Sequence, residues 1–137
     1  MESGPVGTAI LTDDARPVIL SVVSSSLIRQ VQAEVDLLAP ELIEFRRDLH
    51  AHPELSWAEE RTSAVIAKRL DEAGLRPRPL PRNGLVVDIG SGSGPMIALR
   101  ADLDALPVDD HTDDPWASTV EGVAHACGHD LHASALL

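Results

Sequence analysis

His125-Ala126-Cys127-Gly128-His129-Asp130 places the only cysteine of the chain two residues from a histidine, with a carboxylate beside them. Thiolate, imidazole and carboxylate all bind divalent metals, and thiolate plus imidazole suits a borderline ion such as zinc. A structural zinc site usually closes with four protein ligands, and a catalytic one keeps three plus an open position. A pair from one loop therefore needs further ligands. His125 and His132 are the local candidates, although Gly128 interrupts any regular helical spacing across such a site. The alternative is a buried cysteine that only packs.

A second candidate is Arg100-Ala101-Asp102-Leu103-Asp104-Ala105-Leu106-Pro107. On an extended backbone, Asp102 and Asp104 point to the same face. One of them could hold a metal, or fix the ring of a metal-bound histidine from behind. The structural alternative pairs Asp102 with Arg100 or has it cap the loop.

Positioning these residues requires a scaffold, and the hydrophobic periods outline one. Residues 1–23 mix Gly, Pro, Ser and Asp without a sustained period and read as a loose leader; residues 24–137 read as one domain or part of one. Leu27, Ile28, Val31, Val35 and Leu38 share one helical face. The helix is expected to break near Pro40, where a second one starts and buries Leu42, Phe45 and Leu49 before ending at His52-Pro53. Ser56-Trp57-Ala58-Glu59 fits a capping box for a further helix with Ala58, Val65, Ile66, Leu70 and Ala73 on one stripe, stopped by Gly74.

Beyond Gly74 the period changes. Leu85 to Ile89 and Met96 to Leu99 read as strands joined by a turn at Gly90-Ser91-Gly92-Ser93-Gly94-Pro95. A long irregular loop then runs from about Asp102 to Ala124, and Leu131 to Leu137 begins a helix. Helices, then strands, then a helix give an α/β layer with its chemistry at strand ends and loops.

Composition narrows the function further. Arg100 is the last basic residue, and Asp102, Asp104, Asp109, Asp110, Asp113, Asp114, Glu121 and Asp130 follow it. That field draws cations in, while Asp109 to Asp114 read as a solvated acidic loop. The net charge of −11 argues against nucleic acid and against an anionic membrane surface. One cysteine excludes an internal disulfide, and no stretch nears the ~20 apolar residues of a membrane span, so the expected location is cytoplasmic.

Three segments occur in a telling order: Phe45-Arg46-Arg47-Asp48-Leu49-His50-Ala51-His52-Pro53-Glu54-Leu55-Ser56, then Leu99 to Pro107, then His125 to Asp130. Together they resemble the N-terminal motifs of the M20 metallopeptidase family. The match is to its amidohydrolase branch of N-acyl-amino-acid, hippurate and indoleacetyl-amino-acid hydrolases. The resemblance covers residues 40–137. It implies an α/β fold, namely the N-terminal part of the M20 catalytic domain, helices followed by a mixed sheet.

The resemblance also implies a metal-dependent amidohydrolase acting on N-acyl amino acids or similar small conjugates, with two divalent ions, zinc or manganese. Cys127 and His129 match the metal ligands, and Asp104 matches the catalytic carboxylate. Asp102 stands where other branches carry a metal-binding histidine, and is not expected to be a ligand. His52 and Pro53 match the helix-ending signature and carry a structural role. The family's Glu-Glu pair, two further histidine ligands, the remaining strands and the lid domain used for homodimers come after the cysteine motif. The expectation is therefore an N-terminal portion, inactive as this chain alone; the alternative is a non-catalytic metal-binding or interaction protein on the same scaffold.

Overall fold

The computed structural model describes residues 25–90, 92 and 94–137. Along the chain run α1 (Ser25–Ala51), α2 (Glu60–Glu72), β1 (Arg78–Pro79), β2 (Leu85–Val86) and α3 (His129–Leu136). The chain divides into two compact units, Met1–Leu38 and Ala39–Leu137. The leader read over residues 1–23 lies outside the described residues.

α1 corrects the first expectation, since it continues through Pro40 rather than breaking there. Proline inside a helix removes one amide donor and crowds the preceding turn, at about 3 kcal/mol. Its surroundings, Leu37, Leu38, Ala39, Glu41 and Leu42, are mostly strong helix formers that carry the helix across the site. The stripe Leu27, Ile28, Val31, Val35 and Leu38 is helical as expected but exposed.

In the second unit, Leu49, Ile66, Leu70 and Ala133 form the buried core, with Phe45, Val65, Leu75, Leu85 and Val87 packed against it. α1, α2 and α3 each contribute to that core, so the helix carrying His129 is anchored by apolar burial. Leu42 is partly buried and Leu49 is 1% exposed, as the second helical stripe implied.

The capping box is a second correction. α2 begins at Glu60, later than a Ser56 cap requires, and the cap residue Glu59 makes no side-chain bond to it. Instead the carboxylate of Glu54 accepts from the amides of Arg61 (2.9 Å) and Thr62 (2.8 Å), satisfying two orphan donors of the first turn. Ala58 falls outside the helix and is exposed, and Ala73 is the exposed C-cap.

The strands also differ from expectation. β2 pairs antiparallel with β1, register Arg78 opposite Val86 and Pro79 opposite Leu85. Met96 to Leu99 forms no strand, and Met96 and Ile97 are each 85% exposed. A strand exists only through a hydrogen-bonded neighbour, and among the described residues nothing pairs with this run. Ser91 and Ser93 of the expected turn lie outside the described residues.

Two isolated bridges organise the loops that matter. Leu55 pairs with Ala105 in parallel sense and Leu106 pairs with Ala124 in antiparallel sense. The Ala105 amide donates to the Glu54 carbonyl at 2.7 Å, while Leu106 and Ala124 exchange two bonds of 3.0 Å. These bonds draw residues 54–56, 104–106 and 124–129 into one neighbourhood. Among the described residues no helix is long and apolar enough to cross a membrane.

Candidate metal centre

Asp104, Cys127 and His129 come together. His129 Nδ1 lies 3.0 Å from Asp104 Oδ1 and 3.0 Å from the Asp104 carbonyl oxygen. The Cys127 thiol donates to the same carbonyl at 3.7 Å. Gly128 makes the tight arrangement possible: it caps α3 with φ of 84°, a left-handed conformation that costs glycine little. The chain can thus turn between the thiol and the imidazole while both face Asp104.

Both neighbours of His129 Nδ1 are acceptors. Nδ1 must therefore carry the proton when the ring is neutral, which leaves the lone pair on Nε2. A metal-ligating histidine characteristically donates its other ring N–H to a carboxylate or carbonyl. Asp104 in turn accepts from the Ser56 hydroxyl at Oδ2. That bond chiefly, with its own backbone and His129 adding, holds the Asp104 carboxyl below the usual carboxylate range against the opposing effect of burial.

Asp102 takes its structural alternative. Arg100 Nε donates to its Oδ1 at 3.0 Å, in an exposed pair. His52 Nδ1 lies 2.8 Å from the Asp48 carbonyl, at the end of α1, and Pro53 is buried. His132 stacks obliquely near His129, ring centroids 6.1 Å apart. Among the described residues no group of three or more His, Cys, Asp and Glu side chains is placed to hold a metal ion. Cys127 and His129 are a pair of donors, and the closed local site with His125 and His132 is not formed.

Behind the pair lies a polar network that spacing did not reveal. Asp130 is fully buried; its Oδ2 sits 2.7 Å from Arg46 Nε and 2.8 Å from His50 Nδ1. The other face of His50 approaches Asp110, with Nε2 3.5 Å from Oδ2. Asp110 accepts from the Ser118 amide (2.8 Å), the Thr112 amide (2.9 Å) and the Thr112 hydroxyl (2.8 Å). The Arg47 guanidinium covers the Trp116 ring at 3.9 Å, and Thr119 donates twice to the Ala51 carbonyl. Part of the acidic loop is thus stapled to α1, which corrects its reading as simply solvated.

His125 is 3% exposed, with neither ring nitrogen partnered. Burial pushes its imidazole below the ordinary value; Asp130 opposes this, while His50 and His129 add to it.

The three amide and hydroxyl donors pull the Asp110 carboxyl from 3.8 down to about 2. A carboxyl depressed in the folded state adds stability above its unfolded value, and that stability is lost as pH falls through the folded one. We expect the Asp110 carboxyl carbon to titrate near 2, and the acid loss of stability between about 4 and 2 to be shallower in Asp110→Asn. NMR titration and acid unfolding check this, and an Asp110 midpoint near 3.8 would contradict it.

Residues 98–137, which contain all three converging side chains, match the family model described as Peptidase family M20/M25/M40. The chain is 51% identical over 102 residues to N-acetyl-L-cysteine deacetylase of Bacillus subtilis (strain 168), covering 73% of this chain and 24% of that one. It superposes on the crystal structure of the Bacillus subtilis YXEP protein, described as a dinuclear metal binding peptidase from the M20 family. That match has a TM-score of 0.68 and 44% identity over 72% of this chain and 28% of the other. The chain belongs to peptidase family M20/M25/M40.

The M20 chain is also 55% identical over 97 residues to a Rhodococcus jostii (strain RHA1) protein carrying the name of a glutamate–cysteine ligase, 2-3. That match covers 70% of this chain but 12% of the other, so the ligase name is not carried over. The chain spans less than a third of the length of each of these relatives. The family read from three ordered motifs is the one found, and the α/β arrangement is that of the M20 fold.

Of the residues that shape the site, spacing missed Ser56, His50 and Asp110. Ser56 resembled a helix cap, and a hydrogen bond spanning 48 positions leaves no local trace.

Proposed function

We propose that this chain supplies part of the centre of a metal-dependent amidohydrolase that cleaves the amide bond of N-acyl amino acids or similar small conjugates. The observation that carries this reading is the convergence of Cys127 and His129 on Asp104, whose carbonyl and carboxylate oxygens both lie 3.0 Å from His129 Nδ1 and so favour the tautomer that leaves Nε2 for a metal. A thiolate and an imidazole so prepared fit a divalent ion, and zinc or manganese is the expected identity in a centre of two ions. Such ions supply Lewis-acid polarisation of the amide carbonyl and lower the pKa of water. The relative named N-acetyl-L-cysteine deacetylase supports the small N-acyl amino acid class.

In this reading Cys127 and His129 bind the ion, and Asp104 holds His129 in the tautomer that can bind. The described residues provide fewer protein donors than the three of a catalytic zinc site. We therefore expect the pure chain, supplied with zinc or manganese, not to hydrolyse N-acetyl or N-benzoyl amino acids above the blank. Metal-dependent turnover that disappears in Cys127→Ser would overturn the expected inactivity while upholding the reaction class. Sequencing the encoding locus past the Leu137 codon tests the class itself. A continuing frame with a Glu-Glu pair and further histidines, whose product hydrolyses these amides, is the expected result. A product that binds metal but leaves them intact would favour the non-catalytic alternative.

A further inference from the structure

Ser56 stands in a turn held from several sides. The Glu54 carbonyl accepts from the Ala105 amide at 2.7 Å, and Leu55 bridges Ala105. The Glu54 carboxylate is bound to the start of α2, and the Ala58 amide closes the turn onto the Leu55 carbonyl at 2.9 Å. Next to Ser56, Trp57 adopts φ of 69°, a left-handed backbone that an aromatic residue takes only under constraint, with the Arg82 guanidinium 4.9 Å over its ring. The turn is thus fixed, and it delivers the Ser56 hydroxyl to Asp104 Oδ2.

A hydroxyl has one proton to give, and a carboxylate only accepts. Ser56 therefore occupies one oxygen of Asp104, while the other is the one 3.0 Å from His129 Nδ1. An aspartate carboxylate free to rotate about its terminal torsion has a broad, two-fold preference. Pinning one oxygen removes that freedom.

We propose that Ser56 is a positioning residue: its hydroxyl fixes the Asp104 carboxylate so that the opposite oxygen keeps the proton of His129 on Nδ1. That leaves Nε2 as the nitrogen a metal would use, a consequence that rests on the functional reading above. The tautomer itself does not depend on that reading.

Long-range proton–nitrogen NMR correlations of the full metal-free chain, at a pH well above the ordinary imidazole value of about 6.5, show which ring nitrogen of His129 is protonated. The expected wild-type result is the Nδ1–H form. In Ser56→Ala the ratio of Nδ1–H to Nε2–H should fall by about threefold to tenfold, the scale of one charge-assisted bond at a partly exposed site. Ser56→Thr, which keeps the hydroxyl, should restore the ratio. Asp104→Asn, which turns one acceptor into a donor, calibrates the response.

Circular dichroism identifies any variant that fails to fold, and Ser56→Thr against wild type then carries the comparison with Asp104→Asn. A folded Ser56→Ala with the wild-type ratio would overturn the proposal, because the Asp104 carbonyl alone would then hold the proton. A folded Ser56→Thr that shows the Asp104→Asn ratio would overturn it as well. Zinc titration of the same samples separates the two readings. Loss of the tautomer without loss of zinc binding removes the functional consequence and keeps the positioning role; an unchanged tautomer with zinc bound does the reverse.

Discussion

Asp130→Ala lowers the stability of the chain by about 2–4 kcal/mol, measured as a shift in the urea unfolding midpoint at neutral pH. The side chain has no exposure to water, and its Oδ2 is 2.7 Å from Arg46 Nε and 2.8 Å from His50 Nδ1. The Arg46 contact is charge attraction more than a directed bond, because Arg46 Nε has no aligned acceptor, and Asp130 Oδ1 has no partner. The pair is therefore far from an ideal buried salt bridge. Its removal is nonetheless costly, since it strands a guanidinium and an imidazole that folding has partly desolvated.

Breaking a buried pair typically costs about 3–5 kcal/mol. The Arg46 side chain keeps 32% exposure, so water recovers part of that and the expectation is lower. Asp130 also lies in the first turn of α3, where a negative charge favours the helix. Asp130→Asn keeps the shape and loses the charge, and should fall between wild type and alanine. A loss below about 0.5 kcal/mol for alanine would show that the network contributes nothing net.

Cys127→Ser and His129→Ala each weaken zinc binding by about 100-fold or more, measured by competition with a chelating dye. Each removes a donor from a pair, and oxygen is a poorer partner than thiolate for zinc. Asp104→Asn removes only the orienting acceptor of the His129 ring. The loss of such an outer partner typically costs about 10- to 100-fold, so Asp104→Asn should be the milder variant. Equal losses for all three variants would mean that Asp104 itself binds the ion.

The parts legible in the sequence were those written in local patterns. Leu49, Ile66 and Leu70 fell on the helical faces that became the core, and the helix read from Leu131 onward falls in α3, which starts at His129. Cys127, His129 and Asp104 were found through residue type and motif order, and they lie together. The failures involve partners distant in sequence. Ser56 had the spacing of a cap, but Glu54 took that role from outside the motif and freed the serine for Asp104.

Pro40 read as a boundary because the local penalty is real, yet the helix on both sides carries it. Met96 to Leu99 has strand composition, but composition supplies no neighbour to bond with. Asp110 looked like one carboxylate of a solvated acidic run. Its three donors and the facing His50 become visible only once the loop folds back on α1.

Zinc-edge X-ray absorption on the chain loaded with one equivalent of zinc decides whether Cys127 and His129 bind the ion. The expected spectrum has a sulfur ligand at about 2.3 Å and at least one imidazole nitrogen at about 2.0–2.1 Å, with the sulfur shell absent in Cys127→Ser. A shell of oxygen and nitrogen alone in the wild-type chain, unchanged by Cys127→Ser, would contradict it.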